Sequence, residues 1–115
     1  MKLHQWSAIP REQLNPNFAR QVIHSGGMTV ARVFLAKGAI VPEHSHPNEQ
    51  VCYVESGKLV FRSQGQDYLV QTGEVLEIPP GVPHSVEALE ETSGFDLFTP
   101  KRQDWIDGND AYLRK

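Results

Sequence analysis

Apolar residues along this chain come in short bursts, each closed by a turn. Val, Ile, Phe, Tyr and Leu concentrate in Phe18–His24, Met28–Ala36, Gln50–Glu55, Lys58–Ser63, Asp67–Gln71, Val75–Ile78, Ser85–Leu89 and Phe95–Phe98. Between and around them lie Ser25-Gly26-Gly27, Lys37-Gly38, Ser56-Gly57, Gln64-Gly65, Thr72-Gly73, Pro79-Pro80-Gly81 and Ser93-Gly94. No burst holds a helical period over a helix's length, so the pattern predicts short strands with tight returns, an all-β chain. Pro42, Pro47 and Pro83 are expected at strand margins, where a missing N–H does least harm. The segment Lys101–Lys115 is polar but carries Trp105, Ile106, Tyr112 and Leu113. It predicts a short helix near Asp110–Leu113, with apolar anchors against the barrel or a partner subunit. The expectation is one domain over residues 1–115, with a core at about 18–100 and a polar tail at 101–115.

Composition narrows the class. At 115 residues there is room for one core. Hydrophobic residues at 39% and charged residues at 22% are ordinary for a globular protein. A net charge of −3 leaves no basic footprint for nucleic acid. Cys52 is the only cysteine, which excludes an intramolecular disulfide and a Cys-rich zinc site. The first residues lack the apolar core of a signal peptide, and no apolar run approaches the ~20 residues of a membrane span. The expected location is the cytoplasm.

Two half-motifs carry the chemistry. One runs from Gly38 through His44-Ser45-His46 to Gln50 and Gly57, the other from Gly73 through Pro79-Pro80-Gly81 to His84. Alternate side chains of a strand share a face, so His44 and His46 are expected to point together, with Gln50 joining them after the Pro47 turn. His84 is expected from a second strand, aimed inward by the Pro-Pro-Gly bend. Three imidazoles and one amide oxygen form a neutral donor set suited to one divalent transition metal: Zn, Ni, Mn, Fe or Cu. Gln50 in place of a carboxylate leaves the ion close to its full charge, a better Lewis acid for an anionic ligand. It also departs from the two-His-one-carboxylate set associated with oxygen-activating iron. Glu49, the neighbouring carboxylate, is expected off-face.

A third string, Asp96-Leu97-Phe98-Thr99-Pro100-Lys101-Arg102, follows the last predicted strand. Asp96 and Phe98 share a face there. Buried beside a metal, Asp96 is a candidate general acid or base. Arg102 is a candidate clamp for a substrate carboxylate. Val51 and Tyr53 lie on the face opposite Gln50, and with Val60 they predict an apolar outer surface covered by a second subunit, hence a homodimer.

The spacing of the half-motifs is that of the two-part cupin signature, and the chain resembles the small single-domain cupins of the KdgF type. These are pectin-degradation proteins that linearise unsaturated uronates. The resemblance rests on His44–Gln50, Ile78–His84 and Phe95–Trp105, and spans about Gly38 to Trp105. It implies a double-stranded β-helix barrel of the jelly-roll type, with metal on His44, His46, Gln50 and His84. It further implies acid/base chemistry at Asp96 and substrate contacts at Phe98 and Arg102. The implied reaction opens a 4,5-unsaturated uronate to the linear 5-keto-4-deoxyuronate. Asn48, where many relatives carry histidine, and Ala88, where the wider signature often has asparagine, depart from the pattern. Two other readings remain: a different metal-dependent cupin enzyme, dioxygenase or isomerase, and a non-catalytic sugar-binding cupin.

Overall fold

The computed structural model describes all 115 residues as ten strands in two antiparallel sheets. The strands are β1 (Glu12–Asn15), β2 (Phe18–His24), β3 (Thr29–Leu35), β4 (Ile40–His44), β5 (Glu49–Ser56), β6 (Lys58–Ser63), β7 (Gln66–Gln71), β8 (Val75–Ile78), β9 (His84–Ala88) and β10 (Thr92–Thr99). One sheet runs β1-β2-β3-β10-β5-β8, the other β4-β9-β6-β7. Sequence-distant strands pair in both, with β10 between β3 and β5 and β9 between β4 and β6. The turn pattern predicts the short strands, and their weave is the jelly roll that the family resemblance implies.

Strict alternation places the core between the sheets. Thr29, Ala31, Val33 and Leu35 on β3, Gln50, Cys52 and Val54 on β5, and His84, Val86 and Ala88 on β9 all face inward. The apolar cluster includes Leu14 from β1 and Leu113 from the C-terminal segment, so both ends of the chain contribute to it.

The structure departs from the sequence expectations in several places. β1 and β4 were not predicted, since one is polar and the other carries Pro42 at its centre. Pro42 is tolerated because β4 is an edge strand whose pairing with β9 shifts register between Val41 and His44. Ser93-Gly94 is no turn but lies within β10, where a Cβ on Gly94 would strike the carbonyl oxygen of Tyr53. That glycine marks a close approach of two backbones. Val60 is buried within the single chain, so it is not part of an open apolar face. Val51 and Tyr53 do point outward, and register places them beside Leu97, Phe95 and Val75. The tail forms one helical turn, α1 (Gln103–Ile106), and a 3-10 turn (Ala111–Arg114) close to the expected helix.

Candidate metal centre

His44 ends β4 and His84 opens β9, directly opposite each other in the ladder. His46 is not on a strand. It sits in the loop between β4 and β5, so alternation is not what aims it. The loop is pinned instead by the second half-motif: Gly81, in the left-handed conformation, donates its N–H to the His46 carbonyl at 2.9 Å. The Pro-Pro-Gly bend thereby fastens one histidine while delivering another.

Each imidazole is oriented by a backbone carbonyl two residues away. His44 Nδ1 donates to Pro42 at 2.7 Å, His46 Nδ1 to Asn48 at 3.1 Å and His84 Nδ1 to Val82 at 2.9 Å. A carbonyl only accepts, so Nδ1 carries the hydrogen and Nε2 keeps its lone pair in all three rings. Ring nitrogens of the three histidines lie within 4.8 Å of one another, a group able to hold a metal ion. Burial is the main cause that lowers all three pKa values. His44 falls to about 4, with the other histidines adding to the shift, and so does His46, with Arg102 contributing. The His84 value is lowered by burial as well. At neutral pH the cluster is uncharged and its lone pairs are free.

Gln50 completes the group from β5. Its Nε2 donates to Asp96 Oδ1 at 3.1 Å, which leaves Oε1 facing His46 Nε2, also at 3.1 Å. With the His46 proton committed to Asn48 and the amide protons turned to Asp96, two lone pairs confront each other. A cation between them resolves the repulsion, and neighbouring donors on one ion at bonds of about 2.1 Å stand at about this separation. The donor set fits a divalent transition metal.

Asp96 pairs with Cys52 across the ladder, and Phe98 pairs with Gln50, so all four point into the barrel. Asp96 is half-buried and borders the cavity. Burial raises its pKa above the ordinary 3.8, although Gln50, Cys52 and Arg102 pull the other way. Phe98 packs edge-on against His46, with centroids 5.6 Å apart. Arg102 is 2% exposed and borders the cavity. Its Nε and one Nη already form a fork with Asp104 at 3.0 and 2.8 Å, and it donates to the Tyr112 hydroxyl. Glu49 is exposed and off-face, as alternation requires. Gly38 N–H bonds the Ala88 carbonyl at 2.7 Å, so position 88 serves here through its backbone.

Sequence reasoning missed what four residues contribute to the site. Asn48 is buried and donates its amide to the Pro100 and Lys101 carbonyls, holding the turn that delivers Arg102. Tyr112 lays its ring against His44, centroids 4.9 Å apart. Leu113 and Trp105 wall the cavity. The apolar residues of the tail were the available signal, but nothing in their spacing says that they roof a site.

The barrel and its inward histidines define the class, and the comparisons with known proteins agree. The Cupin domain family matches residues 31–96, and the chain belongs to that family. It is 30% identical over 75 residues to an oxalate-binding protein of Thermotoga maritima, a match covering 64% of this chain and 62% of that protein. The chain thus spans less than two thirds of that relative's length. Among solved structures, KdgF from a Halomonas species superposes with a TM-score of 0.78 at 25% identity, over 84% of this chain and 92% of that one. An RmlC-like cupin from Shewanella frigidimarina shares the fold, with a TM-score of 0.84 at 23% identity over 91% and 96%. The class is a small cupin resembling KdgF.

Proposed function

We propose that this cupin binds one divalent metal through His44, His46, Gln50 and His84 and opens 4,5-unsaturated uronates to linear 5-keto-4-deoxyuronates. The observation that carries the reading is the Gln50 amide, held with its oxygen toward His46 and its nitrogen on Asp96. One residue thereby couples a neutral donor set to a carboxyl bordering the cavity. A divalent ion there supplies Lewis acidity and a fixed charge for the sugar's carboxylate and a neighbouring oxygen.

The reaction is an isomerisation. The C1–O5 bond of the cyclic hemiacetal breaks as C1 becomes an aldehyde, and the ring oxygen leaves as the enol oxygen on C5. The enol becomes a ketone when C4 takes a proton, so the proton lost from the C1 hydroxyl is regained on carbon. Asp96 moves that proton. Its raised pKa keeps it closer to a working acid than an ordinary carboxyl, and proton transfer of this kind typically contributes ~10²–10⁴-fold. Phe98 fixes the His46 ring beside it. Because Asp104 takes one edge of Arg102, that residue contributes to anion binding through its charge.

The test follows the ultraviolet absorbance of the conjugated uronate. Wild-type protein loaded with a divalent metal is expected to bleach it, and Asp96→Asn to lose at least about 100-fold of that rate while keeping its metal. Bleaching at the wild-type rate by Asp96→Asn would remove the acid/base role. No bleaching of galacturonate- or guluronate-derived substrates by the wild type would remove the activity. One observation favours a second reading, a small-carboxylate binder: the internal cavity measures only about 50 Å³. Oxalate binding by calorimetry without turnover would support it.

The same proposal includes a homodimer. Val51, Tyr53, Phe95, Leu97 and Val75 share the outer face of the larger sheet, and Tyr53 and Val75 are the most exposed of them. A second copy of this face would cover them. Light scattering at micromolar concentration is expected to give twice the chain mass.

A further inference from the structure

The cavity that holds Gln50, Asp96, His44 and His84 has a volume of about 50 Å³. That is room for an ion and a few waters. Ligand pockets for larger organic molecules run to about 300–1,000 Å³. A sugar acid needs a wall to move, and two walls are candidates. On the side of the β6–β7 hairpin, a surface cleft of about 220 Å³ reaches Phe61, Ile78 and His84. Those three are buried side chains of strands paired in the ladders. Pro79 and Val82 of that cleft belong to the β8–β9 loop, but Phe61 and His84, which border both cleft and cavity, lie on paired strands, so parting them would disturb a sheet.

The opposite wall is of another kind. Leu113 borders the cavity, and Tyr112 beside it lies on His44. Both belong to a single 3-10 turn in no sheet. Its ties to the barrel are side-chain ties. Asp110 pairs with Arg20, and both are buried. Arg114 pairs with Glu12 at 2.9 Å, and Asn15 Nδ2 donates to the Leu113 and Lys115 carbonyls at 3.2 Å each. Arg102 donates to the Tyr112 hydroxyl. Segments held this way open at lower free energy than strands inside a sheet.

We propose that the C-terminal turn is the gate and size filter of the barrel. Tyr112 and Leu113 close the mouth over the histidine cluster, and a ligand of hexuronate size reaches it only when Asp110 releases Arg20. The proposal rests on the histidine cluster being a ligand site, but not on which reaction occurs there.

Cys52 supplies a readout independent of both metal and turnover. It is the sole cysteine, it is 2% exposed, and it borders the cavity next to Gln50 and Asp96. The full-length chain is treated with a compact thiosulfonate, methyl methanethiosulfonate, and with a bulky aromatic disulfide, Ellman's reagent. Rates are normalised to free cysteine and followed across low urea concentrations. In the wild type the compact reagent is expected to be favoured by at least about tenfold, with labelling insensitive to low urea, as local opening requires. Asp110→Asn, which weakens the clamp, and Tyr112→Ala, which thins the roof, are each expected to speed the bulky reagent by about tenfold or more and to erase the size preference. Tyr68→Ala, on the other cleft, is expected to change neither. Tyr112→Ala guards against Asp110→Asn failing to fold. Equal bulky-reagent rates in wild type and Tyr112→Ala would overturn the gate. So would labelling that rises with urea from the first addition, or acceleration by Tyr68→Ala. Failure of the uronate reaction with these labelling results intact would strike the proposed activity alone.

Discussion

The two sheets build their halves of the site by different means. The four-stranded sheet supplies His44 and His84, and each ring is set by a carbonyl two residues away. The six-stranded sheet supplies Gln50, Cys52, Asp96 and Phe98, and these meet only because β5 and β10 are in register. The orientation of each imidazole is therefore local, although His44 and His84 meet through the β4–β9 pairing and His46 is pinned by Gly81. The amide and acid half is long-range, and a slip of one residue would turn every member outward. Donor direction and acid placement are separable properties of this barrel.

Mutations that strike one half at a time test that separation. The largest effect is expected from His84→Ala, which should lower zinc affinity by more than about 100-fold, beyond the cost typical of losing a ligand's supporting bond. Equilibrium dialysis reads it, and circular dichroism should remain that of a folded β-protein. Gly94→Ala attacks the other half. The new Cβ would meet the Tyr53 carbonyl where β10 shifts register against β5. Overpacking of this kind costs about 1–3 kcal/mol, read as a lower Tm. Activity should fall further than zinc affinity, because the three histidines do not depend on that register. Equal losses of both would erase the distinction between the halves. Asn48→Ala is expected to cost about 1–2 kcal/mol by leaving the Pro100 and Lys101 carbonyls without their donor, again measured by denaturation. Its own backbone bond to His46 persists, so zinc affinity should change little.

The smallest effect concerns pH. Burial tends to raise the pKa of Asp110, but hydrogen bonds from Arg20 and Arg114 outweigh it and hold the value below 3.8. Glu12 is held below 4.5, chiefly by Arg114, against partial burial and with help from Arg20. A carboxyl depressed in the fold adds stability above its unfolded value, and that stability is lost as pH falls through the folded one. The Tm of the wild type should therefore fall as pH drops below 3.8. In Asp110→Asn the fall should be shallower.

Legibility in the sequence followed the same division. The half-motifs pointed to a histidine cluster, and the fold does bring His44, His46 and His84 together. Asp96 and Phe98 were readable from strand alternation. The reason for the aim of His46 was not readable, since its loop is pinned by Gly81 from 35 positions later in the chain. Nor was β4, whose central proline argues against a strand until its edge position is known. The roof was hardest. A 3-10 turn of four residues has no period to detect, and the burial of Leu113 is set by partners on β1 and β4.

Those partners also fix an order of assembly. Asn15 reaches Leu113 and Lys115 across separations of 98 and 100 residues, and Arg114 reaches Glu12 across 102. During synthesis every donor from His44 to Arg102 leaves the ribosome before Asp110 does. The roof thus becomes available only after the site it covers, and it docks on β1, the first of the strands to be made.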